Sequence, residues 1–128
     1  MADSLEQAAR AAQANAYAPY SSYRVGAALE ALDGRVFVGC NVENVSYGLT
    51  ICAERSAVVR AVADGARRFR RLVVVSDSEP PASPCGACRQ VLLEFGSELL
   101  VESIGPGSRH RWLLGDLLPA AFSKGTLA

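Results

Sequence analysis

Four residues of this 128-residue chain have the types and spacing that chemistry requires: Cys52, Glu54, Cys85 and Cys88. They form a split pattern, Cys-Ala-Glu at 52–54 and Pro-Cys-Gly-Ala-Cys at 84–88. Three thiolates can hold one zinc ion and leave its fourth position open to water, whereas four protein ligands make a closed, structural site. A carboxylate two residues from the first ligand is then placed to move protons to and from that water. The pattern predicts hydrolysis, with Cys52, Cys85 and Cys88 as metal ligands and Glu54 as general base.

Each residue also has a plainer reading. Taken alone, Cys85 and Cys88 suit a zinc half-site, a thioredoxin-like redox pair or a chance spacing. Cys52-Ala-Glu at a second helix start tips the choice toward zinc. Cys40 could close a four-cysteine site, but it lies in the strand-like RVFVGCNV (35–42), where cysteine packs as a small hydrophobe. His110, the only histidine, is flanked by Arg109 and Arg111 and reads as a surface residue. Glu54 could merely favour a helix N-terminus, and Arg55 could be a solvated helix residue. Three thiolates and one Zn²⁺ carry a net −1, however, and a cation beside the sulfurs offsets that charge, which gives Arg55 a supporting role. Asn41 and Glu43 alternate at a strand end and so share a face, where an amide and a carboxylate can hold a sugar hydroxyl. Polar strand ends are common, and this pair alone specifies little.

The elements that must position these groups are legible from periodicity. Leu5, Ala8, Ala9, Ala12 and Ala16 recur at helical spacing, with Ser4 and Gln7 as a capping box, predicting a helix near 4–16. VGAALEAL (25–32) and RVFVGCNV (35–42) flank Asp33-Gly34 and predict a β-hairpin. A helix from Cys52 to about Gly65, a central strand at Leu72–Val75 and a helix from Gly86 to Phe95 follow. Strands at Leu99–Val101 and Arg109–Leu114 precede a terminal helix around Asp116–Phe122. The basic run ARRFRR (66–71) reads as a solvated connection between helix and strand rather than an RNA contact. Both metal motifs fall at predicted helix starts, where orphan N–H groups and the helix dipole favour thiolates.

The order of elements implies a mixed sheet with helices on its faces. Half the residues are apolar, a fifth are charged, and 13 basic residues balance 13 acidic ones, so no net field draws the chain toward nucleic acid or an anionic membrane. The N-terminus lacks the basic start and apolar run of a secretory signal, and no apolar stretch approaches a membrane span. A cytoplasmic location is the expectation, and clustered cysteines in a reducing compartment point to metal or redox chemistry.

The segments AYAPYSSYRVGAAL (16–29), CNVENVSYGLTICAERSA (40–57) and SPCGACRQVLLEFG (83–96) together resemble cytidine deaminase, in its small zinc-dependent form. The handful of residues in the zinc-deaminase signature matches here with cysteine, the free-nucleoside choice, as first ligand. The resemblance implies an α/β, three-layer α-β-α cytidine-deaminase-like fold with a mixed, about five-stranded sheet, and one catalytic domain over 1–128. It implies one Zn²⁺ on Cys52, Cys85 and Cys88, proton transfer by Glu54, and Arg55 hydrogen-bonded to the sulfurs. Asn41 and Glu43 would hold the ribose, especially its 3′-hydroxyl, Ala53 would offer its backbone N–H to the pyrimidine, and Ser83 its carbonyl near the leaving amine. Phe122, in LLPAAF (117–122), would stack on the base in a neighbouring subunit's site, and Tyr47 falls in a segment that contacts the neighbour, giving a homotetramer with shared active sites. Tyr23 departs from the phenylalanine usual against the nucleoside, and its hydroxyl requires a partner or water.

The implied reaction is hydrolysis of cytidine and 2′-deoxycytidine to the uridines and ammonia, in pyrimidine salvage, with a nucleoside as the partner and neither nucleic acid nor membrane. The alternatives are a deaminase of a related cytosine nucleoside analogue or antibiotic, and a non-catalytic zinc-stabilised interaction module.

Overall fold

A computed structural model describes residues 3–127. Five strands make one sheet in the order β2-β1-β3-β4-β5, with helices on both faces. The hairpin strands β1 (Gly26–Ala31) and β2 (Val36–Cys40) pair antiparallel around the Asp33-Gly34 turn, where Gly34 takes φ 92° and Asp33 Oδ1 accepts the Arg35 N–H. β3 (Phe69–Val75) runs antiparallel to β1 and parallel to β4 (Leu100–Ile104), and β5 (Arg109–Leu113) closes the edge antiparallel to β4. The sheet is mixed, as expected.

Strand alternation divides the core into two layers. Leu5 and Ala9 of α1 (Ser4–Gln13) pack with Ala28, Val73, Val75 and Ile104 on one face. On the other, Ala27, Leu29, Leu72, Val74 and Val101 meet α2 (Ala53–Ala63) through Ala53, Ala57, Val58 and Ala61, and α3 (Gly86–Leu93) through Leu92. Two glycines let the helices approach. A Cβ at Gly26 would lie 2.0 Å from Ala9 O, and one at Gly39 would lie 2.4 Å from Ala57 N and 2.6 Å from Ala53 O. Gly39 thus seats the first turns of α2 directly on β2.

Several boundaries differ from the sequence expectation. α1 is capped by Asp3, whose side chain accepts from Glu6 N at 2.8 Å, rather than by a Ser4–Gln7 box. It also ends at Gln13 rather than 16, because the Tyr17 main chain is taken up by Asn41 O and Glu43 N beyond the end of β2. β3 begins at Phe69, so Phe69, Arg70 and Arg71 of the basic run are strand residues rather than a connection. Arg71 reaches the fully buried Glu102 at 2.9 Å, a partner that charge periodicity does not reveal. The expected helix at 116–122 is replaced by a single turn, α4 (Leu114–Leu117). Pro19's effect on α1 is pre-empted, but Pro119 acts as its type demands: it drives Leu118 to φ −142°, ψ 67°, and Ala120 takes φ 53°. A further turn, α5 (Lys124–Leu127), lies beyond.

Candidate active site

The carboxyl ends of parallel β3 and β4 and the start of β1 open at the end of the sheet where α2 and α3 begin, the usual place for a ligand crevice in an open α/β sheet. Cys52 is the N-cap of α2, Cys85 is the N-cap of α3, and Cys88 lies in the first turn of α3. Two adjacent helix N-termini therefore carry all three thiols. Their sulfurs lie within 4.8 Å of one another, with Cys52–Cys85 at 3.9 Å and Cys85–Cys88 at 3.4 Å. Tetrahedral zinc with Zn–S bonds of about 2.3 Å requires sulfurs about 3.8 Å apart, so the donor set fits that ion in both size and softness. Cys40 is not in this group. It pairs with Gly26 on the α1 side of the hairpin, opposite the face that carries α2.

One thiol of the cluster, Cys52, is favoured as the thiolate. The hydrogen bond from Cys88, aided by Arg55 and Cys85 against the cost of burial, brings Cys52 down to about 5. Cys88, as the donor in that pair and buried beside Glu54, is pushed up. Arg55 Nη2 lies 3.8 Å from Cys52 Sγ and 3.3 Å from Thr50 O, while its buried Nε has no hydrogen-bond partner among the described residues. The guanidinium is thus beside the sulfurs, where charge balance places it. Glu54 is almost fully buried at the start of α2; burial pushes its carboxyl up to about 7, and the Cys52 charge adds to the effect against the Glu54 N–H and Arg55.

A cavity of about 370 Å³ opens over Cys52, Glu54 and Cys85. Tyr23, Asn41, Glu43, Ala53 and Ser83 all line it, together with Ser21, Thr50 and Val74. Every substrate-contact candidate that belongs to the same subunit therefore faces one space. Phe122 does not. It is more than half exposed and borders a separate hollow with Gln90 and Lys124, its carbonyl held by Gln90 Nε2 at 2.8 Å.

Asn41 and Glu43 lie just past the end of β2, kept in register by the bridges of Val42 to Tyr17 and Ile51. Both side chains also hold the loop that precedes β1. Asn41 Oδ1 accepts from Val25 N at 2.9 Å and its Nδ2 donates to Tyr23 O at 2.8 Å. Glu43 Oε1 accepts from Tyr20 N at 3.0 Å and Ser21 N at 3.2 Å, and Oε2 accepts from the Ser21 hydroxyl. The Ser21 hydroxyl first, then these backbone N–H groups, hold the Glu43 carboxyl below its usual range.

Two further residues escaped the sequence reading. Arg89 donates to Pro84 O at 2.7 Å, Leu117 O at 2.6 Å and Ser83 Oγ at 2.9 Å. Ser103 Oγ donates to Ala82 O at 2.6 Å from the other side. Between them they pin the loop that forms the cavity wall at Ala82 and Ser83. An arginine directly after a metal ligand was the available signal for the first; the second, a serine within an apolar strand, gave none.

Residues 2–103 match the family model described as "Cytidine and deoxycytidylate deaminase zinc-binding region". The cytidine deaminase of Sporosarcina psychrophila is 50% identical over 119 residues, covering 91% of this chain and 88% of that protein. The cytidine deaminase of Mycobacterium tuberculosis is 54% identical over 112 residues, covering 87% and 81%. The crystal structure of cytidine deaminase from Burkholderia pseudomallei superposes with a TM-score of 0.90 at 50% identity, covering 95% of this chain and 100% of that one. With a profile match across most of its length, close relatives over nearly all of it and the same three-layer fold, the chain belongs to the cytidine and deoxycytidylate deaminase zinc-binding family.

Proposed function

We propose that this protein is a zinc-dependent hydrolase that converts cytidine and 2′-deoxycytidine to uridine and 2′-deoxyuridine with release of ammonia. The observation that carries this is one cavity lined by Cys52, Cys85 and Glu54, with the Cys88 sulfur buried beside them and the Asn41–Glu43 pair on its wall. Cys52, Cys85 and Cys88 would hold the ion, which when bound supplies the Lewis acidity that lowers the pKa of a water from about 15.7 toward about 7.

The remaining work belongs to side chains of this chain. Glu54 accepts the proton of the attacking water and delivers it to N3 of the pyrimidine as the C4–O bond forms. It then carries the second water proton to the 4-amino group as the C4–N bond breaks. One carboxyl can serve both steps because it gains and loses a single proton at one position. The Ala53 N–H and the Ser83 carbonyl would orient the base, the latter accepting from the departing amine. Tyr23 lies against the nucleoside.

Hydrogen-bond accounting supports a sugar at Asn41 and Glu43. Among the described residues Asn41 has one amide hydrogen and one lone pair of Oδ1 still available, and Glu43 has one acceptor position on Oε2. The Asn41 donor beside the Glu43 acceptor is the complement of a single hydroxyl, here the ribose 3′-hydroxyl. An ionised Glu43 repels a phosphate, which favours a nucleoside over its monophosphate.

Assembly extends the reading. Val45, Tyr47 and Leu49 are 77%, 81% and 71% exposed, and Tyr47 shares a hollow with Glu43 and Thr50 of the cavity wall, an apolar surface suited to a second copy. A homotetramer in which the Tyr47 segment contacts a neighbour and Phe122 completes that neighbour's site accounts for these exposures and for the absence of Phe122 from the lining of its own cavity. Among the described residues no helix is long and apolar enough to cross a membrane. We place the enzyme in the cytoplasm, in pyrimidine salvage, as one catalytic domain.

Cytosine, cytidine, 2′-deoxycytidine and cytidine monophosphate, compared by loss of absorbance on deamination, test the reading. The two nucleosides should be turned over best. A clear preference for the monophosphate or for free cytosine contradicts the role given to Glu43 and Asn41.

A further inference from the structure

The sugar-binding carboxylate is itself held by a side chain that the reaction does not call for. Ser21 stands in the loop between α1 and β1, and its hydroxyl lies between two partners. Its Oγ accepts from Tyr23 N at 3.0 Å and donates to Glu43 Oε2. Because the Tyr23 N–H occupies a lone pair of Oγ, the hydroxyl proton is directed at the carboxylate. Ser22 adopts φ 60°, the turn that brings Tyr23 N back onto the hydroxyl, and Ser22 N is secured on Ala18 O at 3.0 Å. The Tyr20 and Ser21 N–H groups fill the other carboxylate oxygen.

Only one direction of Oε2 is left, on a residue that lines the cavity, as Ser21 itself does. A carboxylate fixed in this way can accept but not donate. It cannot rotate to meet a sugar of different substitution without giving up the Ser21 and backbone bonds together. We propose that Ser21 is a positioning residue for hydroxyl recognition: it orients Glu43 so that the enzyme favours a sugar bearing a hydroxyl donor over one that lacks it. The proposal rests on the sugar reading of Asn41 and Glu43.

Steady-state kinetics of Ser21→Ala, Ser21→Thr and Glu43→Ala with cytidine and 3′-deoxycytidine test it, with zinc content measured for each variant. Ser21 is exposed, so loss of its hydroxyl leaves the core untouched. Loss of a hydrogen bond to a charged group predicts that Ser21→Ala lowers kcat/KM for cytidine about tenfold, chiefly through KM. Turnover of 3′-deoxycytidine should stay within about twofold, since the bond at issue is absent there. Ser21→Thr should restore the preference. An equal fall for both substrates, or an unchanged preference, overturns the proposal, because bracing of the loop alone predicts no difference between the two sugars. Glu43→Ala separates the two levels of inference. That variant removes the acceptor altogether, so if the full preference survives in it, the sugar reading itself fails, and the role of Ser21 fails with it.

Discussion

Replacing Gly39 by alanine should disable the site from beneath, without touching any group that performs chemistry. The new methyl would lie 2.4 Å from Ala57 N and 2.6 Å from Ala53 O, about 1 Å short of the 3.4 Å at which ordinary contact begins. Both obstacles are backbone, so no side chain can rotate away, and α2 must lift from β2. The lift acts on the turns that carry Glu54 and adjoin Cys52, while Cys85 and Cys88 stay with α3. Overpacking of this kind costs about 1–3 kcal/mol. Misplacement by about 1 Å can lower turnover on the order of 100-fold. Gly34→Ala is the control. Its Cβ meets nothing within 4 Å, and its φ of 92° carries only a left-handed backbone penalty of about 1–2 kcal/mol, far from the cavity. The assay is thermal unfolding, zinc content and kcat/KM for both variants. Comparable destabilisation with a selective loss of activity or zinc in Gly39→Ala is expected. If Gly39→Ala retains the activity of Gly34→Ala with full zinc, the claim that β2 sets the height of the catalytic turn is wrong.

Arg89→Lys keeps a charge but cannot reach Pro84 O, Leu117 O and Ser83 Oγ together. It should lower kcat/KM about tenfold with zinc retained, and kinetics at the wild-type level would remove Arg89 from the account. Glu102→Gln probes the sheet on the α1 side. Burial acts to raise the Glu102 carboxyl, yet Arg111 and Arg71 outweigh it and hold the group below its usual range. A depressed folded value stabilises the protein above the unfolded value of 4.5, and the contribution is lost as pH falls through the folded value. Chemical denaturation should show a deficit of about 1–3 kcal/mol at pH 7 that shrinks below pH 4.5; a deficit constant with pH contradicts the pairing. Cys40→Ser should leave zinc content unchanged, since Cys40 lies across the sheet from the three ligands; loss of metal would restore the closed four-cysteine site.

The mixed sheet and the clustering of Cys52, Cys85 and Cys88 were both legible in the sequence. Cys-Ala-Glu and Cys-Gly-Ala-Cys declare their helix starts because a cysteine N-cap followed by helix formers is a local feature, and Asp33-Gly34 is equally local. The errors came from elsewhere. α1 ends early because Tyr17 is engaged by the chain beyond β2, a contact between distant segments that side-chain periodicity does not record. Glu102 is polar in sequence and buried in space because three arginines from β3 and β5 surround it. Pro119, by contrast, was readable: its restriction on Leu118 should have ended the last helix. Alternation puts Asn41 and Glu43 on one face and the resemblance implies their sugar contact, but nothing in the sequence shows that they also hold residues 20–25. That task depends on the loop folding back over the end of β2. Arg89 and Ser103 were missed for a related reason, since three of their four acceptors are backbone carbonyls and no side-chain pattern marks a carbonyl.

The most direct test of the central claim is the activity of Glu54→Gln at full metal loading. The amide keeps the size of the side chain and leaves Cys52, Cys85 and Cys88 intact. It cannot take up a proton. One zinc per chain should remain, while the rate of cytidine deamination falls about 10²- to 10⁴-fold. Near-normal turnover with zinc in place would contradict the assignment of Glu54 as the group that moves the protons.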